Sequence, residues 1–294
     1  MNLEKTNEEE LMCSGHVACQ GCGGALAMRH ALQGFGAKTM VVIPACCWTI
    51  IAGAFPCSIL KTPVLHTAFA GAGATAAGLR ASLDMRGRED INVLVWAGDG
   101  GTFDIGLQSL SGAVERNENV TFACYDNEAY MNTGVQRSSA TPLGAWTMTT
   151  PEGFPKENPK KNIVQIMAAH KIPYAATASV GFLDDLRAKF EKAGKIKGSK
   201  LIHILAPCPP GWKHSSDLTA RLARLAVHCK AFPVYEVFDG EKHVINIEPD
   251  GKPVKQYLSM QGRFSHLTDQ QIADIQTRVD HDWEQLRQKT VRSA

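Results

Sequence analysis

The sequence predicts an α/β fold: a parallel twisted sheet flanked by helices, followed by a C-terminal helical extension. Three observations carry this. Residues 92–97 (NVLVWA) are a short apolar run ending in Gly-Asp-Gly-Gly, 103–116 places Ile105, Leu107, Leu110, Ala113 and Val114 at helical spacing, and 120–125 is a second apolar run, which together make a βαβ unit. Strand-like and helix-like stretches keep alternating up to LIHIL at 201–205, and no long period recurs that would indicate a solenoid or propeller. The crossover of a βαβ unit is right-handed and leaves both carboxyl ends on one edge, where open α/β sheets bind ligands, so Asp99 and Asn127 share a rim.

Taken in order, residues 1–10 (MNLEKTNEEE) are acidic and polar, unlike a secretory signal, and a cytoplasmic protein is expected. Residues 39–60 carry no charge over 22 positions, enough to span a bilayer as one helix. Pro44 and Pro56 argue against that helix, and TMVVI reads as a buried strand leading into a loop, within a region suited to a subunit interface. Residues 151–162 (PEGFPKENPKKN) hold three prolines and read as an exposed loop, followed by a helix at 163–169 and a strand at 174–179. Beyond Asp184, basic residues at 187, 189, 192, 195, 197 and 200 read as a solvated helix face, with a docking patch for an acidic electron carrier as the sharper alternative. Ile272, Ile275, Val279, Trp283 and Leu286 form a helical stripe behind a capping box at Thr268 and Gln271, which makes it core or interface. The expected division is a ligand-binding domain at 1–230 and an extension at 231–294 that packs on it or on a partner.

With 31 Lys and Arg against 29 Asp and Glu in 294 residues, the net charge of +2 argues against a nucleic-acid partner.

Nine cysteines in a chain expected to be cytosolic direct attention to ligation before disulfides. Cys19-Gln-Gly-Cys22, crowded by Gly21, Gly23 and Gly24, lets a tight turn aim two sulfurs at one centre; spacing alone leaves zinc, an iron–sulfur cluster or two ordinary thiols open. Cys13, Cys46, Cys47, Cys57, Cys124, Cys208 and Cys229 are the remaining candidates. Cys208 lies in the rigid loop APCPPGW, whereas Cys46, Cys57, Cys124 and Cys229 read as small buried hydrophobes.

Gly98-Asp99-Gly100-Gly101, between a strand and a helix, offers a carboxylate and free backbone N–H groups at a helix N-terminus, as a phosphate and its divalent ion require. GDGGTFDIG is neither the dinucleotide fingerprint nor a Walker loop. Asp99, the Asn127 side-chain oxygen and a nearby carbonyl make a donor set suited to Mg²⁺; the plainer alternative is a simple turn.

Gly-Asp-Gly followed one βαβ unit later by Asn resembles the thiamine diphosphate motif, and GHVACQGCGGALA, IPACCWTI, GDGGTFDIG, DNEAYMNTGVQRS and APCPPGW stand in the order of the 2-oxoacid:ferredoxin oxidoreductases. The chain is similar to the separate β subunit of the pyruvate-type enzymes from about Gly15 to Trp212, with a weaker likeness in YLSMQGRFSHLT. This resemblance implies a thiamine diphosphate-binding fold and coenzyme A-dependent oxidative decarboxylation of pyruvate, or its reverse; oxalate, 2-oxoisovalerate and aryl glyoxylates are alternative substrates. It implies that Asp99, Asn127 and the Ala129 carbonyl hold Mg²⁺ on the diphosphate, that Gly98 and Gly100 line the phosphates, and that Asn132 and Thr133 face the substrate carboxylate or thiazolium. Cys19, Cys22, Cys47 and Cys208 would ligate one [4Fe–4S] cluster, Cys47 matching the family position better than Cys46. The glutamate that activates the coenzyme would come from an α subunit, and electrons would leave through γ and ferredoxin-like δ subunits to ferredoxin. A non-redox thiamine decarboxylase or synthase and a zinc-stabilised scaffold protein are the readings from other classes.

Overall fold

A computed structural model describes residues 10–54 and 56–292, so the acidic opening segment lies largely outside the described residues. Helix α1 (Gly23–Phe35) leads into β1 (Thr39–Pro44), α2 (Cys47–Ile51), β2 (Val64–Thr67), α3 (Ala72–Met85) and β3 (Asn92–Gly98). A π-helical turn (Gly100–Asp104) and α4 (Leu107–Glu115) then connect to β4 (Thr121–Asp126). A long irregular stretch precedes α5 (Ile163–Ala169), β5 (Tyr174–Ser179), α6 (Leu183–Lys195), β6 (Lys200–Leu205), α7 (Pro209–Trp212) and α8 (Thr219–His228). The chain closes with β7 (Tyr235–Phe238), β8 (Lys242–Ile245), α9 (Val254–Leu258) and α10 (Asp269–Arg292).

The eight strands form one sheet in the order β2-β1-β3-β4-β6-β5-β7-β8, parallel from β2 to β5 and antiparallel at β7 and β8. The extension therefore opens with a hairpin that lengthens the sheet before its helices begin. Strand alternation divides the core between the two faces. Val41, Ile43, Leu94, Trp96, Ala123 and Tyr125 pack with α1 and α6 on one face, while Val42, Val93, Val95, Phe122 and Cys124 pack with α3, α4 and α5 on the other. Trp96 stacks on Tyr125 and meets Trp48 edge-on, while Phe35 of α1 meets Phe190 of α6 at 5.2 Å.

The 39–60 region is the expected strand and loop, and no described helix is long and apolar enough to cross a membrane. Beside it β2 forms the sheet margin, with Leu65 and the nearby Ile50 exposed. Helix α10 begins behind its reciprocal Thr268–Gln271 cap; Trp283 and Leu286 enter the sheet core, and Ile272, Ile275 and Val279 cover a third cluster around Trp212 and Tyr257. The basic stretch is not solvated throughout: Lys189 and Lys200 are buried, Lys189 pairs with Asp185 and Lys192 with Glu236, while Lys195 and Lys197 stay exposed, Lys197 in a surface pair with Glu89.

Glu236 ties the hairpin to the sheet, accepting from Tyr174 at 2.7 Å, Lys192 at 2.5 Å and Asn246 at 2.7 Å. Burial opposes its ionisation, but Lys192, Tyr174 and Asn246 outweigh burial and hold the carboxyl below its usual range. A carboxylate depressed in this way adds stability above the unfolded value of about 4.3, and that stability is lost as pH falls through the folded value. In urea titrations, Glu236→Gln should be less stable than the parent at neutral pH and should lose less stability between about pH 5 and pH 3.

Candidate active site

Four adjacent strands, β1, β3, β4 and β6, end on one rim, and the chain places a predicted site residue just beyond each: Cys47, Asp99, Asn127 and Cys208. Pairing of Gly98 with Tyr125 and of Asp126 with Leu205 keeps these ends level. Asp99 is 1% and Asn127 7% exposed, so both face a cavity rather than open water. One terminal atom of the Asn127 amide lies 2.9 Å from the Ala129 carbonyl oxygen and 3.0 Å from Asp99 Oδ1. As nitrogen it donates to both. Turned over, it sets an oxygen against both the Ala129 carbonyl and Asp99 Oδ1, at distances close to the roughly 2.9 Å separation of neighbouring ligands in an octahedron of about 2.1 Å Mg–O bonds. Burial, and then the Asp126 carboxylate, push the Asp99 carboxyl well above its usual range, and Ser138 donates its hydroxyl to Asp99 Oδ2. Among the described residues, no cationic side chain bonds directly to this donor set.

Asp126 has a cationic partner in direct contact, the Lys160 ammonium. Burial opposes its ionisation, but Lys160 and His203 outweigh burial and hold it down at about 2. Its Oδ2 meets His203 Nε2 at 2.7 Å and Lys160 Nζ, and its Oδ1 accepts the Glu128 N–H at 2.9 Å, which shapes the turn carrying Asn127.

The thiols come together beside this rim. Cys22 N–H donates to the Cys19 carbonyl at 3.0 Å, closing the expected tight turn, and Gly23 N–H donates to the Pro207 carbonyl at 3.1 Å, laying that turn against the Cys208 loop. A Cβ on Gly23 would stand 2.8 Å from that same carbonyl, so only glycine permits the approach. Burial pushes the Cys47 thiol up to about 12, and electrostatic interaction with Cys46, Cys208, Cys22 and Cys19 adds to the shift. Among the described residues, no three Cys, His, Asp or Glu side chains are grouped so as to hold a single metal ion. Cys124 and Cys229 are buried, as expected. Two thiols depart from expectation: Cys57 is exposed because it follows α2 on a surface loop, and Cys46 lines the cavity beside the Tyr125 hydroxyl and Gly98.

The cavity has a volume of about 130 Å³ and is walled by Asp99, Asn127, Tyr130, Met131, Asn132 and Thr133 among others. Asn132 and Thr133 occupy the exposed tip of a tight loop closed by paired Tyr130 and Gln136 backbones, and Thr133 Oγ1 is engaged with Gln136 Oε1 at 2.7 Å. Tyr130, bonded to Asp104 at 2.9 Å, lays its ring over Gly100, and Phe69 meets it edge-on. A larger, open groove of about 650 Å³ between α5, the β7–β8 hairpin and α10 is lined by none of the predicted site residues. Phe69 and Lys160 escaped the sequence reading because they reach the rim from loops with no local motif, whereas Tyr130 and Ser138 lie within DNEAYMNTGVQRS but carry no signal there of the contacts they make.

Residues 47–204 match the family model described as thiamine pyrophosphate enzyme, C-terminal TPP binding domain. The chain is 48% identical over 290 residues to ketoisovalerate oxidoreductase subunit VorB of Pyrococcus abyssi, covering 95% of this chain and 93% of that one. It is 46% identical over 286 residues to pyruvate synthase subunit PorB of Methanothermobacter marburgensis, covering 96% and 99%. The chain belongs to the 2-oxoacid:ferredoxin oxidoreductase β subunits. The fold of this subunit is shared with a solved 2-oxoglutarate:ferredoxin oxidoreductase from Magnetococcus marinus, with a TM-score of 0.60, 22% identity and coverage of 75% of this chain and 81% of that one. Thiamine diphosphate is accordingly the coenzyme of the family's domain, and the names of the relatives mark such a chain as one subunit among several.

A methyl group on Gly100 would stand 2.3 Å from the Tyr130 ring. Gly100→Ala should therefore weaken thiamine diphosphate binding about tenfold or more, as overpacking of about 1–3 kcal/mol implies; calorimetric titration of the co-expressed subunits would measure it.

Proposed function

We propose that this chain is the coenzyme- and cluster-carrying β subunit of a cytoplasmic, coenzyme A-dependent pyruvate:ferredoxin oxidoreductase, working in either direction. The observation that supports the reading is the convergence of Asp99, the Asn127 amide and the Ala129 carbonyl on a rim with Cys47 in the same cavity wall and the Cys19–Cys22 turn laid against the loop of Cys208. A branched 2-oxoacid is the second reading, favoured by the slightly higher identity to the ketoisovalerate subunit.

In this reading Asp99, the Asn127 side-chain oxygen and the Ala129 carbonyl hold Mg²⁺, the Gly98–Gly100 turn receives the diphosphate, and the four thiolates hold one [4Fe–4S] cluster. When bound, thiamine diphosphate supplies the nucleophile for the 2-oxo carbon and the cluster supplies a one-electron acceptor. The chain's own residues position these groups. Ser138 orients Asp99, the Asp126 turn presents Asn127, and Asn132 and Thr133 border the mouth where a substrate carboxylate enters.

The site is incomplete within one chain. Its 130 Å³ falls below the roughly 300 Å³ of a full small-molecule pocket. Glu128 stands beside the rim with its oxygens bonded to Lys160 at 2.7 Å and Arg263 at 2.6 Å, so it is not free to activate the coenzyme. An α subunit that supplies this glutamate, together with γ and ferredoxin-like δ subunits leading to ferredoxin, completes the proposal.

Co-expressed subunits should oxidise pyruvate with coenzyme A and a low-potential acceptor, and this chain alone should not turn over. A screen of pyruvate, 2-oxoisovalerate, 2-oxoglutarate, oxalate and phenylglyoxylate decides the substrate, and failure of all five in an assembly loaded with iron and thiamine would refute the reading. Cys208→Ala should lower iron content and visible absorbance, whereas zinc without iron in the parent would overturn the cluster. Asp99→Asn should weaken coenzyme binding by roughly 10- to 100-fold while leaving iron content unchanged.

A further inference from the structure

Asn127 is flanked by two buried carboxylates, Asp126 and Glu128, and neither faces the cavity as a free acid. Glu128 has a left-handed backbone at φ 67°, unusual for a residue with a side chain, and that conformation turns the chain so that Asn127 and Ala129 point to the same side. Three contacts hold it there: Thr141 donates to the Glu128 carbonyl at 2.7 Å, Lys160 to Oε1 at 2.7 Å and Arg263 to Oε2 at 2.6 Å. Arg263 comes from the C-terminal extension. Its side chain is 3% exposed, it donates from Nε to Gln261 at 2.9 Å, and its guanidinium lies 3.8 Å from the centre of the Trp212 ring. Trp212 in turn donates from its indole to the Asn127 carbonyl at 2.8 Å, while its backbone N–H donates to the Cys208 carbonyl at 2.8 Å. One guanidinium therefore braces the turn twice, through the Glu128 carboxylate and through the ring that holds the Asn127 peptide, and the same tryptophan anchors the Cys208 loop.

We propose that Arg263 is a positioning residue for the coenzyme's metal, acting through Glu128 and Trp212 to keep the Asn127 turn in its binding shape. The inference rests on the assignment of Asp99, Asn127 and Ala129 as the Mg²⁺ donors. Arg263 touches neither coenzyme nor substrate, so its contribution is felt in affinity more than in turnover at saturation. Lysine in its place keeps the charge but lacks the flat fork that bonds Glu128 while lying on Trp212.

The test uses the co-expressed subunits, stripped of thiamine diphosphate and Mg²⁺ and titrated with both in a calorimeter. Weaker binding by Asp99→Asn than by the parent supports the underlying assignment; a parent that binds neither, or an Asp99→Asn variant that binds like the parent, defeats that assignment, whatever the other variants do. Arg263→Met should weaken binding by roughly 10- to 100-fold, the range for groups that orient metal ligands, with the activity loss larger at limiting than at saturating coenzyme. Arg263→Lys should fall between it and the parent. Because Arg263→Met leaves Glu128 short of a partner and can compromise folding, Trp212→Phe supplies a second arm: it removes the indole donation to Asn127 and narrows the ring beneath Arg263, while keeping every charge. It should weaken binding several-fold, about the loss of one buried hydrogen bond. Parent-like affinity in either variant, in an assembly with the parent's iron content, overturns the proposal.

Discussion

Asp99 and Asp126 stand at the ends of adjacent strands, both almost without solvent, and two like charges so placed need cations of their own. Lys160 serves Asp126, while Asp99 has only the Ser138 hydroxyl and an amide that presents nitrogen or oxygen according to what lies between them. Much of the rim's construction follows from keeping these carboxylates apart in role. One is permanently neutralised and shapes the turn. The other faces the cavity with no cationic side chain bonded to it among the described residues.

The sheet makes this separation rigid. Parallel pairing levels the ends of β1, β3, β4 and β6, and the stacked Trp96 and Tyr125 beneath them resist movement of β3 against β4. The cysteines come from three loops that this scaffold draws together, with Gly23 allowing the Cys19–Cys22 turn to lie on the backbone before Cys208. The extension is structurally part of the same unit: its hairpin lengthens the sheet, its long helix enters two clusters of the core, and one arginine reaches the rim.

The sequence disclosed this architecture unevenly. Alternating apolar runs identified the strands because each contributes to two faces, and Gly-Asp-Gly-Gly and Cys-x-x-Cys were visible because their chemistry is compressed into a few consecutive residues. The basic stretch at 187–200 misled, since spacing shows which residues share a helix face but not that Asp185 and Glu236 wait across from Lys189 and Lys192. Lys160 and Arg263 were out of reach for a similar reason. They meet Glu128 at sequence separations of 32 and 135, and no local pattern records such a pairing. The hairpin at the sheet's far margin was also missed, because its two short strands lie between stretches dominated by helical periodicity.

A cavity too small to enclose its occupant has a thermodynamic consequence. A molecule clasped partly by this chain and partly by a neighbour adds its binding energy to the contact between them, so loading and assembly become one equilibrium. On the proposed reading the vitamin-derived group would act as a structural cement, and its supply would govern how much of the multi-chain enzyme exists as well as how fast each copy works.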